Sequence, residues 1–220
     1  MNHVPGDRLD LARIVHDLRS PLMPLRTAAW LLRSELAQSP RAHELAGIVE
    51  RQSARLARMM DELGDWGHVT DTGFALDCRP VDPALALDMA IGAIPGCAIE
   101  PHYTEQAKAM QLHADQHRFG QLLDTLIRHA MHRAGDRLPE MEVAADAGQL
   151  CIRVRDHGPP LPPAALEALL SQAQAPFDEG LGLRLLIARR IAEAHGGTLT
   201  AEHGVDGGVA LACWMPASSG

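Results

Sequence analysis

The stretch "VHDLRSPLMP", residues 15–24, sets a histidine, an acid and a hydroxyl close together on a helical pattern. His16 follows the apolar position Val15 by one, so it points obliquely away from the apolar stripe, and Ser20 at i+4 shares its face. Free imidazole titrates at about pH 6.5, which leaves a neutral ring nitrogen available as a nucleophile at cellular pH. The neighbouring carboxylate of Asp17 can fix the ring tautomer or take its proton as phosphorus is attacked. Pro21 removes one helical hydrogen bond and crowds the carbonyl of Asp17, so the backbone should bend just past the histidine. From these residues alone, a phosphoryl-carrying histidine and a histidine–acid pair on a solvated face both stay open.

A second set of chemically capable residues lies in the C-terminal half. The helical pattern "DQHRFGQLLDTLIRHAMHR", residues 115–133, carries Gln121, Thr125, His129 and His132 on the face opposite its leucines. That face suits either a nucleotide or solvent. His129 and His132 have a spacing that permits a shared metal, but no third convergent ligand can be read, so no metal site is assigned. "VRDHGPP", residues 154–160, puts Asp156 at a strand end before Gly158, where an acid can accept a hydrogen bond from an adenine amino group. In "DEGLGLRLLIARRIAEAHGG", residues 178–197, Gly180 and Gly182 precede a helix whose first amides and dipole favour phosphate oxygens. A dinucleotide-binding Rossmann unit is disfavoured because this glycine run comes late, and no P-loop pattern occurs.

The elements that must hold these groups follow from periodicity. Leu11, Val15, Leu18, Leu22, Leu25, Ala29, Leu32 and Leu36 alternate in spacings of four and three, a heptad seam. "QSPR" then breaks the chain, with Ser39 placed to cap a second helix and Pro40 in its first turn. The second seam runs through Leu45, Val49, Gln52, Leu56, Met59 and Leu63, and Gly64 and Gly67 are expected to interrupt it. Such a hairpin has little core of its own; either a second copy closes a four-helix bundle or the hairpin covers the following domain. From about residue 72 the pattern alternates short strands ("FALDC", "CAIE", "AMQLHA", "MEVAA", "LCIRVRD", "TLTAE", "GVALACWM") with helices at 82–94, 116–133, 163–170 and 183–194. One sheet face packed by helices fits the alternation in "LCIRVRD".

Acidic residues outnumber basic ones by 28 to 20, for a net charge of -8, which argues against nonspecific nucleic-acid or anionic-membrane binding. No apolar run reaches the roughly 20 residues of a membrane span, and "MNHVPGDRLD" lacks the apolar core of a signal peptide. A cytoplasmic chain is expected. Cys78, Cys97, Cys151 and Cys213 are widely spaced and read as reduced structural thiols.

"HDLRSPL", residues 16–22, closely resembles the phosphoacceptor box of sensor histidine kinases, and "DHG", "GLGL" and "HGG" follow in that family's order. The resemblance implies an α-helical hairpin forming a dimeric four-helix bundle for dimerisation and histidine phosphotransfer (1–70), then an α/β sandwich of the GHKL (Bergerat) type for catalysis and ATP binding (71–220). It implies that His16 is autophosphorylated from ATP with Mg²⁺ and passes the phosphoryl group to an aspartate of a response-regulator receiver domain. Asp17 would assist proton transfer, and Ser20 would help position water for a phosphatase reaction. Asp156 and Gly158 would match the adenine box, and Gly180, Leu181, Gly182 and Leu183 the phosphate-side glycine box. The implied partners are a second copy, the receiver domain and an upstream sensor protein. Several positions depart from the family pattern. Thr125 and His129 replace the magnesium-ordering asparagines, and imidazole suits hard Mg²⁺ poorly. Pro160 replaces a glycine, Asp178 and Glu179 bring carboxylates toward a triphosphate, and the loop "SQAQAPFDE" is short. The alternative is an ATP-independent histidine phosphotransferase or a partner-binding pseudokinase.

Overall fold

The computed structural model describes residues 22–33, 39–70, 74–175, 180–204 and 207–217. Its C-terminal portion is built on a sheet of five strands: β2 (Pro101–Tyr103), β4 (Glu140–Asp146), β5 (Gln149–Arg155), β7 (Val209–Pro216) and β6 (Thr198–His203), in that spatial order. The β2–β4 pair is parallel and the remaining pairs are antiparallel. A separate antiparallel pair joins β1 (Cys78–Val81) to β3 (Leu112–Asp115). Register fixes the two faces of the large sheet. Met141, Val143, Ile152, Val154, Leu211 and Cys213 fall on one face and are buried. Glu142, Arg153 and Ala212 align on the other, where Arg155 pairs with Glu140.

Helices α3 (Pro83–Gly92), α5 (Gln116–Arg133) and α7 (Arg184–Ala194) cover the apolar face, with shorter α4 (Glu105–Lys108) and α6 (Pro163–Ala168) at its edges. Helix α5 has the expected bounds. Asp115 caps it, Oδ1 accepting from the Arg118 amide at 3.1 Å, and its apolar stripe of Phe119, Leu122, Leu123, Leu126 and Ile127 is buried. All four cysteines are free thiols, and burial pushes that of Cys213 up to about 12, so it is inert packing.

Two strand expectations need correction. "FALDC" enters the ladder only at Cys78, because the Asp77 amide donates to the Asp115 carboxylate instead of to a strand. In "CAIE", Ile99 is buried without ladder bonds, and pairing with β4 begins at Pro101. Helix α4 was not legible as a periodic segment; Thr104 caps it, its hydroxyl accepting from the Ala107 amide at 3.3 Å.

Residues 22–33 form helix α1, and α2 runs from Pro40 to Thr70. Ser39 accepts from the Ala42 amide at the expected break. Leu22 and Met60 are buried together, flanked by Ala57 and Leu63, and Arg33 pairs with Glu50. Leu45 and Leu56 of the second seam are 55% and 50% exposed in the single chain. The expected interruption at Gly64 and Gly67 does not occur. Each mid-helix glycine costs about 1 kcal/mol relative to alanine, and the last turns of α2 recover this by docking on the sandwich through Glu62, Asp65, Trp66 and Val69. Among the described residues no helix is long and apolar enough to cross a membrane.

Leu126 is fully buried at the centre of the helix–sheet interface. Leu126→Ala should destabilise the sandwich by about 2–5 kcal/mol, read as a lowered urea midpoint with an unchanged denaturant slope.

Candidate functional site

The strand-end acid sits where the sequence places it, yet its carboxylate is already engaged. Asp156 is 1% exposed. Its Oδ1 accepts from the amides of Gly158 (2.9 Å) and Val209 (3.2 Å), and its Oδ2 from Arg133 Nε (2.9 Å). Arg133, in the last turn of α5, also donates to the Pro159 carbonyl at 2.6 Å. A side chain at Gly158 would fall 2.1 Å from the Arg133 carbonyl, so this backbone approach requires glycine. Arg133 is thereby clamped between the acid and the following loop, and it takes the carboxylate oxygen Oδ2 that an adenine amino group would otherwise be free to use.

The glycine box is occupied in a parallel way. Helix α7 begins after Leu183 with no capping side chain of its own. The Leu181 and Leu183 amides, each at 3.0 Å, both donate to Oε2 of Glu62, which reaches them from α2. Glu62 is 4% exposed, and its Oε1 lies 3.6 Å from Arg184 Nε. Arg184 also approaches Asp124 at 3.4 Å, and Asp124 pairs with Arg128. A neighbouring bridge ties α2 to α5: Asp65 accepts from Arg118 (2.9 Å) and from Gln121 (2.7 Å). Gly182 has φ +78°, and its carbonyl accepts from the Gln174 amide at 3.1 Å. A Cβ there would meet the Gln174 carbonyl at 1.8 Å, so the loop after α6 is packed directly on the glycine box. Gly180 is buried beside it.

Thr125 and His129 are buried on α5. The Thr125 hydroxyl donates to the Gln121 carbonyl one turn back, at 2.9 Å. Burial, with the nearby Arg133 cation, drives the His129 imidazole down to about 4 against the opposing pull of Asp156, so the ring is neutral at pH 7. His129, His132, Arg133, Leu169 and Gln174 border a cavity of about 190 Å³. Small-molecule pockets are typically about 300–1,000 Å³. His16, Asp17, Ser20, Asp178 and Glu179 lie outside the described residues.

Residues 114–219 match the family model described as histidine kinase-, DNA gyrase B-, and HSP90-like ATPase. Over 94% of its length the chain is 29% identical to the sensor protein KdpD of Escherichia coli strain K12, covering 24% of that protein. It is 24% identical to the sensor histidine kinase ZraS of Salmonella typhi, over 93% of this chain and 44% of that one. Residues 114–219 thus carry a domain of this ATPase family, and the relatives that the chain resembles along its length are sensor histidine kinases. The chain spans about a quarter to under half the length of these curated relatives. The solved structure of full-length ShkA in complex with AMPPNP superimposes with a TM-score of 0.80 at 20% identity, covering 96% of this chain and 46% of that one, which supports the GHKL-type fold.

As arranged here, the residues of this chain do not fit ATP with Mg²⁺. Asp156, the acid expected at the adenine, is paired with Arg133, and the Leu181 and Leu183 amides, expected on the phosphate side, are paired with Glu62. The two asparagine positions hold a hydroxyl turned onto its own helix and a neutral imidazole, neither a carboxamide oxygen. Among the described residues no cluster of three histidine, cysteine or acidic side chains stands ready for a metal.

The fold brings His129 and Gly182 to one small cavity, to which Asp156 is linked through Arg133, while Thr125 borders a separate one beside Glu62. Arg133 and Glu62 were missed by sequence reasoning. One signal was available for Glu62: "GLGL" offers no serine, threonine, aspartate or asparagine to cap the helix that follows, so a cap had to come from elsewhere.

The neutral His129 has a measurable consequence. With a folded value of about 4 against about 6.5 unfolded, the unfolded chain binds more protons between those limits. This contribution is therefore intact above about pH 6.5 and is lost as pH falls toward 4, by on the order of 3 kcal/mol. Urea midpoints measured from pH 7 to pH 4 should fall more steeply for the natural chain than for His129→Gln; parallel curves would refute the assignment.

Proposed function

We propose that this chain is a two-component phosphotransfer protein related to the sensor histidine kinases. Residues 1–70 serve as the dimerisation and phosphotransfer hairpin and 71–220 as a docked GHKL-type sandwich that does not hold ATP while the two are joined. The observation that carries this reading is the simultaneous occupation of both ends of the nucleotide site by protein groups, Arg133 on Asp156 and Glu62 on the Leu181 and Leu183 amides. An intact "HDLRSPL" in a sequence whose expected nucleotide groups are already paired suits a phosphate carrier better than an ATP-driven enzyme.

In the proposed step a neutral ring nitrogen of His16 attacks phosphorus of an aspartyl phosphate on a receiver domain. The N–P bond forms as the P–O bond to the carboxylate breaks, and the ring proton passes to Asp17 or to water. The reverse step returns the group to the receiver. Ser20 positions water where hydrolysis competes.

A homodimer belongs to the same proposal. Leu25 and Leu32 of α1 and Leu45, Val49 and Leu56 of α2 remain exposed along the two predicted seams. A contiguous apolar stripe of this kind is what a second copy would cover.

A second reading, autophosphorylation from ATP, is supported by the retained geometry of the glycine box, whose two amides converge on one anionic oxygen. Incubating the full chain separately with radiolabelled ATP·Mg²⁺ and with a phosphorylated receiver domain separates the two. Acid-labile, base-stable label appearing on His16 only from the receiver is the expected result; label from ATP alone would establish the second reading. His16→Gln should abolish labelling from either source while leaving the circular dichroism spectrum and melting temperature unchanged.

A further inference from the structure

Buried acids seldom occur without a dedicated partner, and Glu62 is the one acidic side chain of the hairpin that is buried among the described residues. Its partners are backbone amides 119 and 121 positions away, at the start of a helix that has no cap of its own. Two N–H groups converging on one carboxylate oxygen at a helix N-terminus form a charge-assisted anion seat, equally suited to a phosphate oxygen. Both amides donate to the same atom, so a second anion cannot take them while Glu62 is in place. The space left around the carboxylate, bordered by Arg58, Asp65, Thr125 and Arg184, is about 70 Å³. The Asp65–Arg118–Gln121 bridge, one turn further along α2, fixes the helix so that Glu62 cannot swing aside alone.

We propose that Glu62 is an internal occupant of the phosphate seat, so that docking of α2 on the sandwich and binding of a polyphosphate anion at Leu181 and Leu183 are mutually exclusive. The inference rests on reading the glycine box as a phosphate seat and gives that seat a regulator within the chain. An open sandwich, with α2 withdrawn, exposes two amide donors and the Arg184 guanidinium to a polyphosphate. A closed sandwich presents none of them. The nucleotide site is then controlled by the position of the hairpin that carries the phosphoacceptor box.

The test uses the full chain, isotopically labelled for amide detection, with inorganic tripolyphosphate as the probe. In the natural chain the Leu181 and Leu183 amides should be protected from solvent exchange and unmoved by the probe. In Glu62→Ala both should exchange at least about tenfold faster, and tripolyphosphate should bind at least about tenfold more tightly than to the natural chain and restore the protection. Glu62→Gln, which keeps the volume and one acceptor oxygen but not the charge, should fall between the two and serves as the deciding variant if the alanine chain does not fold. Equal probe affinity in all three chains would overturn the proposal. So would amides that stay protected without the carboxylate, or amides that become exposed yet bind no tripolyphosphate. None of these readouts involves His16, so phosphotransfer and the internal occupant can fail separately.

Discussion

One carboxylate joins the two parts of this chain. Glu62 Oε2 satisfies two part-buried amides that open helix α7 and that have no partner within their own helix. A glycine box built to meet phosphate therefore needs phosphate, water or a protein anion at all times, and here the anion is part of the fold. The same constraint governs the other end. Asp156 is too deeply buried to stay charged without a cation or several donors, and Arg133 together with two amides meets that need.

These substitutions explain one another. Arg133 can hold Asp156 because the α5 backbone comes close enough to Gly158 to exclude a side chain there. Gln174 can lie on Gly182 because the connecting loop is short and the glycine has both a positive φ and no Cβ. His129, enclosed beside Arg133, stays neutral because burial disfavours its charged form and a second cation there would repel the first. Arg133, Gln174 and His129 all border one cavity, and it is small.

Much of the fold was legible because it rests on periodicity and caps. The stripe from Phe119 to Ile127 and the Asp115 cap defined α5, and strict alternation from Leu150 to Val154 defined the central strand. The errors fell where local signals compete with tertiary bonds. Gly64 and Gly67 read as helix breakers until the contacts of Glu62, Asp65 and Val69 outweigh their propensity. Asp156 and the glycine box were found by type and order, but their partners were not, because Arg133 and Glu62 lie 23 and about 120 positions away and carry no short-range pattern. Residue types announced the seats; only topology showed what sits in them.

The length of α2 gives this arrangement a mechanical character. The helix is continuous from Pro40 to Thr70, so the exposed seam at Leu56 and the carboxylate at Glu62 belong to one rigid rod and stand about 9 Å apart along its axis. Whatever covers the seam sets the axial position of that rod. Hydrogen bonds at 3.0 Å tolerate a shift of a few tenths of an ångström, whereas a slide of one helical turn, about 5.4 Å, would withdraw the carboxylate completely. In the proposed reading, a signal that moves the hairpin by one turn would change the sandwich from a filled seat to an open one without altering either fold.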